Sequence, residues 1–333
     1  TGTYLLLLGS GSQIFAYNEQ LNLIGSINFS ENIFSNFGSP SYANGFCFTS
    51  TGGNTWKVWD IDDGMLTTSG CTDPYAENYN ADANIDDGSC AYPDNGDYAL
   101  SFDGENDLVN LNQSIISSTQ NTFVAIFKAD ETEHYDYDSG RPIYSQGASS
   151  NTYANYAIGL HSDGLHIELA GPSDNGVHQL TESLNFNTWY HLAVVFNSGQ
   201  ISTYLNGNLE SVINVPFTSI VQNSHGSFIG NRWGLEYQNN GEYKWDGMIE
   251  EIQIWDNALT AAQVSSFYDI SPTGNESGLV GLWKFNSGSG DILYDHSGNQ
   301  THGTILGATW EEIISGCTDP YAENYNADAN IDD

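Results

Sequence analysis

The chain has 333 residues, enough for two or three domains and one sizeable core. Six Lys and Arg stand against 42 Asp and Glu, a formal charge of −36, and the six basic residues are scattered along the chain. That balance excludes nucleic-acid binding, which needs basic clusters on phosphates, and it disfavours anionic lipid. Only 14% of residues are charged, and 20 Tyr and 8 Trp join abundant Gly, Asn, Ser and Thr, a mix that suits short strands and turns. The composition reads as an acidic extracellular or cell-surface β-protein whose self-repulsion is offset by salt and bound cations. There is no initiator Met, no signal peptide and no apolar run near the roughly 20 residues of a membrane span.

In chain order, residues 1–68 alternate apolar and polar positions between turn signals, with strands expected at Tyr4–Leu8, Gln13–Tyr17, Leu23–Phe29, Gly45–Thr49 and Trp56–Trp59. They form a small β-module or the tail of a preceding domain. Residues 69–93 form a cysteine-bounded linker. Its first 19 residues, Ser69 through Asp87, return unchanged as Ser315 through Asp333. The first copy continues to Gly88-Ser89-Cys90, so Cys71 has a partner 19 residues on, whereas the sequence stops before Cys317 meets an equivalent. The simplest reading is a window onto a longer tandem array, in an oxidising compartment, with Cys71 and Cys90 paired and Cys47 unassigned. A large β-domain is expected over 94–314, and 315–333 begins the next linker.

Within 94–314 strand signals recur at short spacing, among them Tyr98–Phe102, Thr122–Phe127, Tyr156–Leu160, Leu165–Leu169, Trp189–Phe196, Ile201–Leu205 and Gly247–Trp255. Such spacing with Gly, Asn and Asp turns indicates an all-β, two-sheet jelly-roll sandwich. Asn206-Gly207 is a hairpin turn signal. One helix is expected at Thr260–Tyr268, capped by Thr260 with Gln263 completing a capping box.

The ordered set Ser101-Phe102-Asp103-Gly104, Trp189-Tyr190-His191-Leu192-Ala193-Val194-Val195-Phe196, Trp245-Asp246-Gly247, Ile252-Gln253-Ile254-Trp255, Leu282-Trp283-Lys284-Phe285 and Asp295-His296-Ser297-Gly298 resembles the laminin-G-like jelly roll of the concanavalin A-like lectin superfamily. The resemblance implies two curved antiparallel sheets with adjacent chain ends and a role in carbohydrate or protein adhesion. It also implies a structural calcium, for which Asp103 and Asp295, with Asp107 nearby in sequence, are the matching residues. The linker is similar to short cysteine modules of bacterial and viral surface proteins.

Asp82-x-Asn84-x-Asp86-Asp87-Gly88 alternates oxygen ligands as calcium loops do, and Asp73 offers another oxygen. The other reading is a knot of Asx turns closed by Cys71–Cys90. Glucanases of the superfamily carry paired carboxylates as Glu-x-Asp-x-x-Glu on one strand face. Here that strand reads Ile249-Glu250-Glu251-Ile252-Gln253, with the two acids on opposite faces, so no enzyme is expected. Sugar binding needs exposed aromatics beside polar groups. The loops at Tyr135–Arg141 and Arg232–Trp245 offer Tyr135, Tyr137, Arg141, Arg232, Trp233, Tyr237, Tyr243 and Trp245, for glycan or for protein contact. The expectation is an extracellular structural and adhesive repeat, a unit of a surface fibre joined to copies of itself through calcium-stiffened linkers. The alternative is a carbohydrate-binding lectin module that recognises surface polysaccharide.

Overall fold

The computed structural model describes residues 68–116, 119–130, 140–147, 155–172, 175–221, 226–232, 244–317 and 319–329, with the backbone of six earlier strands. The chain groups into two units, Thr1–Ala91 and Tyr92–Asp333.

In the first unit, β1 (Leu5–Leu8), β2 (Gln13–Tyr17) and β3 (Leu23–Asn28) form one antiparallel sheet. A second is built from β4 (Ser41–Ala43), β5 (Phe46–Ser50) and β6 (Trp56–Trp59). Cys47 lies on β5, and its side chain is outside the described residues. Two short strands, β7 (Ser69–Gly70) and β8 (Ile85–Asp86), pair in parallel inside the linker.

The second unit is the sandwich. Its strands are β9 (Tyr98–Asp103), β10 (Leu108–Asn110), β11 (Gln120–Ala129), β12 (Arg141–Gln146), β13 (Tyr156–His161), β14 (Gly164–Ala170), β15 (Asn175–Gln179) and β16 (Trp189–Asn197). They continue as β17 (Gln200–Leu205), β18 (Asn208–Asn214), β19 (Ser227–Ile229) and β20 (Asp246–Trp255). After helix α1 (Ala261–Asp269) come β21 (Leu279–Trp283), β22 (Ile292–Leu293), β23 (Gly303–Leu306) and β24 (Thr309–Glu312). One antiparallel sheet runs β18-β17-β16-β11-β20-β9-β24 with β21 also on β20; the other runs β15-β14-β13-β12-β19-β10-β23-β22. Their inner faces close on one core that includes Phe102, Phe123, Phe127, Tyr144, Tyr156, Phe196, Trp245, Ile252 and Trp283. The jelly-roll expectation holds.

The local signals that hold are those with fixed backbone chemistry. Asn206 (φ 48°) and Gly207 (φ 75°) make the β17–β18 turn, where both central residues need positive φ. Thr260 caps α1 and Gln263 returns the capping box. The helix covers the outer face of the first sheet, burying Val264 and Leu259 with Val124, Val195, Trp255 and Leu282.

His191 of β16 lies beneath that helix, edge-on to Tyr268 at 5.2 Å. It is 5% exposed, and neither ring nitrogen has a protein partner, so it is not the hydrogen-bonded sheet histidine that its neighbours suggest. Burial holds its pKa down at about 4, against an ordinary 6.5. The folded imidazole therefore stays neutral while the unfolded chain takes up a proton. Stability from this residue is full above pH 6.5 and declines as pH falls toward 4, by about 3 kcal/mol. His161 and His296, also near 4, act in the same direction. Glu250, held up at about 7 by burial and by Glu251, acts oppositely between pH 7 and 4.5. His191→Phe should flatten the acid limb of a stability–pH curve measured by urea unfolding. An unchanged limb would contradict this account.

Candidate functional site on the outer face of the second sheet

The centre of the second sheet places small, buried residues on its outer face. Gly159 of β13 pairs with Pro142 and His166, and Ala157 pairs with Ser145 and Glu168, so these small residues form a floor across β12, β13 and β14. A Cβ at Gly159 would lie 2.5 Å from the carbonyl oxygen of Arg141, which keeps the position bare. Over this floor the Arg232 guanidinium donates to the Glu168 carboxylate, and both residues are buried. Ser145 Oγ donates to the carbonyls of Asn231 (2.7 Å) and Arg232 (2.9 Å), fixing the segment that carries the arginine.

At the other end of the strip, His161 and His166 stack with centroids 4.2 Å apart. His166 Nε2 bonds Asp163 at 2.8 Å, and Gln179 Nε2 donates to the Asp163 carbonyl at 2.8 Å. His161 is kept neutral first by burial, then by the repulsion of His166. The result is a polar strip with a buried inner end, Glu168–Arg232, and an accessible rim, Asp163–His166–Gln179.

Both aromatic-rich loops leave the described structure beside this strip. A side chain at Gly140, which follows loop 131–139, would collide with His161, and Arg232 precedes loop 233–243. Tyr135, Tyr137, Trp233, Tyr237 and Tyr243 lie outside the described residues. Two of the other expected contact residues are placed differently. Trp245 is fully buried in the core, edge-on to Phe127 at 5.5 Å, because β20 continues inward at once from the loop. Arg141 pairs with the core residue Leu160, so it falls on the inner side of the sheet, away from Arg232.

The acidic candidates are spent on turns. Among the described residues no three His, Cys, Asp or Glu side chains converge as a metal site. In the linker, Asp73, Asp86 and Asp87 accept the amides of Tyr75, Gly88 and Ser89, and Asn84 accepts that of Thr68. Asp82 presents its own amide to Asn80 Oδ1 at 3.1 Å. This is the Asx-turn knot, closed by the Cys71–Cys90 disulfide. Among the described residues of the second copy three of these bonds recur, Tyr321 N on Asp319, Asp328 N on Asn326 and Asn326 N on the Cys317 carbonyl.

Asp103 and Asp295 are not brought together. Asp103 pairs with Asp246 at one end of β20, whereas Asp295 bridges Trp283, which pairs with Ile252. Six residues of strand separate these levels, roughly 20 Å. Asp295 is fully buried and accepts the amides of Leu282, Ser297 and Thr301 at 2.8–3.0 Å, tying the loop after β22 to β21. Asp295→Ala strands two buried donors and one half-buried one and should cost about 3 kcal/mol in thermal unfolding. A loss below 1 kcal/mol would remove its structural role.

Glu250 is the extra residue of a bulge in β20, opposite Ile126–Phe127. Glu251 accepts from Ser271 (2.5 Å) and Gln253 (2.6 Å), under the segment that follows α1. The two acids are held in separate environments, and no paired-carboxylate cleft forms there.

Residues 103–265 match the family model Laminin_G_3, the concanavalin A-like lectin/glucanases superfamily. The sandwich itself runs past that match, since β21 to β24 complete both sheets. Among solved structures, a Bacteroides ovatus protein described as carbohydrate-binding is similar at 20% identity and TM-score 0.50. The likeness covers 67% of this chain and 61% of that one, and it speaks to the fold. A heptameric pentraxin from Limulus polyphemus shares 24% identity over 52% of this chain and 82% of its own (TM-score 0.40). Domain 4 of an extracellular arabinanase from Geobacillus stearothermophilus, solved with arabinotriose, shares 20% identity over 51% and 76% (TM-score 0.39). No curated protein matches the chain. Among the described residues no helix is long and apolar enough to cross a membrane.

Proposed function

We propose that the chain is a non-catalytic, carbohydrate-binding module of a secreted or cell-surface protein, and that the saccharide lies on the outer face of the second sheet. The observation that carries this reading is the convergence at one strip. Small residues form a floor beneath the Arg232–Glu168 pair, the side chains of Asp163, His166 and Gln179 line an accessible rim, and the residues flanking both aromatic-rich segments lie beside it. Saccharide recognition uses this division of labour, with rings against sugar faces and convergent polar groups on hydroxyls. The Cys71–Cys90 bond is consistent with an oxidising compartment. A polysaccharide array probed with the full chain and with the double variant Trp233→Ala/Tyr237→Ala tests the reading. Binding of at least one polysaccharide class should drop tenfold or more in the variant at unchanged melting temperature. A folded wild-type chain that retains no polysaccharide would contradict it.

A second reading, a structural repeat that joins copies of itself in a surface fibre, is favoured by one observation. The linker folds into the same turns in both copies. Electron microscopy of native material, with calcium and then with chelator, distinguishes fibres stiffened by calcium from dispersed modules.

A further inference from the structure

The turn between β9 and β10 concentrates negative charge. Asp103, Glu105 and Asp107 stand within five residues, and Asp246 pairs with Asp103 from β20. Asp103 Oδ1 accepts the amides of Glu105 (2.8 Å) and Asn106 (3.3 Å), and Asp107 Oδ2 accepts that of Asp103 (2.9 Å). The backbone is pressed tight around these carboxylates. A side chain at Gly307 would collide with Asp107, and a Cβ at Gly104 would lie 3.0 Å from Asp246. Asp107 is 6% exposed, and its carboxyl is pushed up first by burial, with Asp103 adding repulsion.

Into this turn reaches Lys244, one of six basic residues in the chain. It is 4% exposed, a burial that lysine tolerates only with partners. Its ammonium donates to the Glu105 carbonyl at 2.8 Å; burial pulls its pKa down, and the charges of Asp103 and Asp107 oppose that shift. Lys244 is itself held in place by a backbone bridge to Asn231, at the foot of loop 233–243. The turn carbonyl that a divalent ion would use already faces a cation supplied by the chain.

We propose that Lys244 is the resident cation of the 103–107 turn, so that this end of the jelly roll holds its carboxylates without calcium. This goes beyond the saccharide reading and stands if that reading fails.

Amide hydrogen exchange at Asp103, Glu105 and Asn106 in the full chain reads the turn directly, since these are the bonded amides. In the wild type, protection should be equal in millimolar calcium chloride and in EDTA. Lys244→Met should lower it tenfold or more, with calcium restoring part of the loss. Because Lys244→Met also empties a packed site, Asp107→Asn and the double variant complete a thermodynamic cycle by thermal unfolding. Lys244→Met should lower the second unit's melting temperature by about 5–10 °C, and adding Asp107→Asn should recover most of that loss. Wild-type protection that collapses on chelation, or strictly additive losses in the double variant, would overturn the proposal.

Discussion

Replacing Arg232 by methionine should destabilise the second unit by about 3–5 kcal/mol, read as a fall of about 10 °C in its melting temperature. Both partners of the Arg232–Glu168 pair are buried, so removal of the guanidinium leaves a carboxylate without its counter-charge on the floor of the strip. The pair as a whole is worth far less than its rupture, because two charges had to leave water to form it. The double variant Arg232→Met/Glu168→Leu should therefore regain most of the loss. A single variant within 1 kcal/mol of wild type would show that the pair is solvated and the inner strip open. The same variant bears on recognition, since the Arg232 carbonyl is anchored by Ser145 and starts loop 233–243.

Cys71→Ser/Cys90→Ser should lower the stability of the first unit's linker by about 3 kcal/mol, the loop-closure effect expected for a bridge across 19 residues. The Asx caps at Asp73 and Asn80 each reach only two residues along the chain, so those turns are encoded locally and do not run through the bond. The variant linker should keep its turn amides protected over 73–82 and lose protection at Asn84, whose bonds to Thr68 lie where β7 and β8 meet. Protection lost evenly across 71–90 would show that the disulfide, not the side-chain capping, organises the module.

Much of the sandwich was legible because strands with one covered face announce themselves. Trp189–Asn197 and Gln200–Leu205 alternate around a turn whose Asn-Gly pair has only one inexpensive conformation. The helix declared its start through Thr260 and Gln263. Strand β12 was hidden for a physical reason. Arg141-Pro142-Ile143-Tyr144-Ser145-Gln146 is buried throughout and bulged after Pro142, so neither alternation nor propensity marks it. Its burial on the outer side comes from a covering segment far away in sequence, at Asn231 and Arg232.

The site was legible only in part. The aromatic loops and Arg232 stood out by composition, but Trp245 and Arg141 did not show which way they face, because that depends on the register of β20 and β12. The strip itself left a signal in β14, where His166 and Glu168 alternate with Leu165, Ile167 and Leu169. That pattern places two polar residues on one outer face, and sequence cannot tell a solvated face from one lined for a ligand. The aspartates are ambiguous for a related reason. Asx turns and calcium loops use the same residues at the same spacing, and only the convergence of oxygens separates them.

Saccharide on the outer strip should be visible when the best array-binding polysaccharide is titrated into chain labelled at its eight histidines and the ring resonances are followed. Shifts are expected at His161 and His166, with His191 under α1 and His296 near Tyr92 unchanged. Saturable binding that leaves His161 and His166 unmoved would place recognition elsewhere on the chain and contradict it.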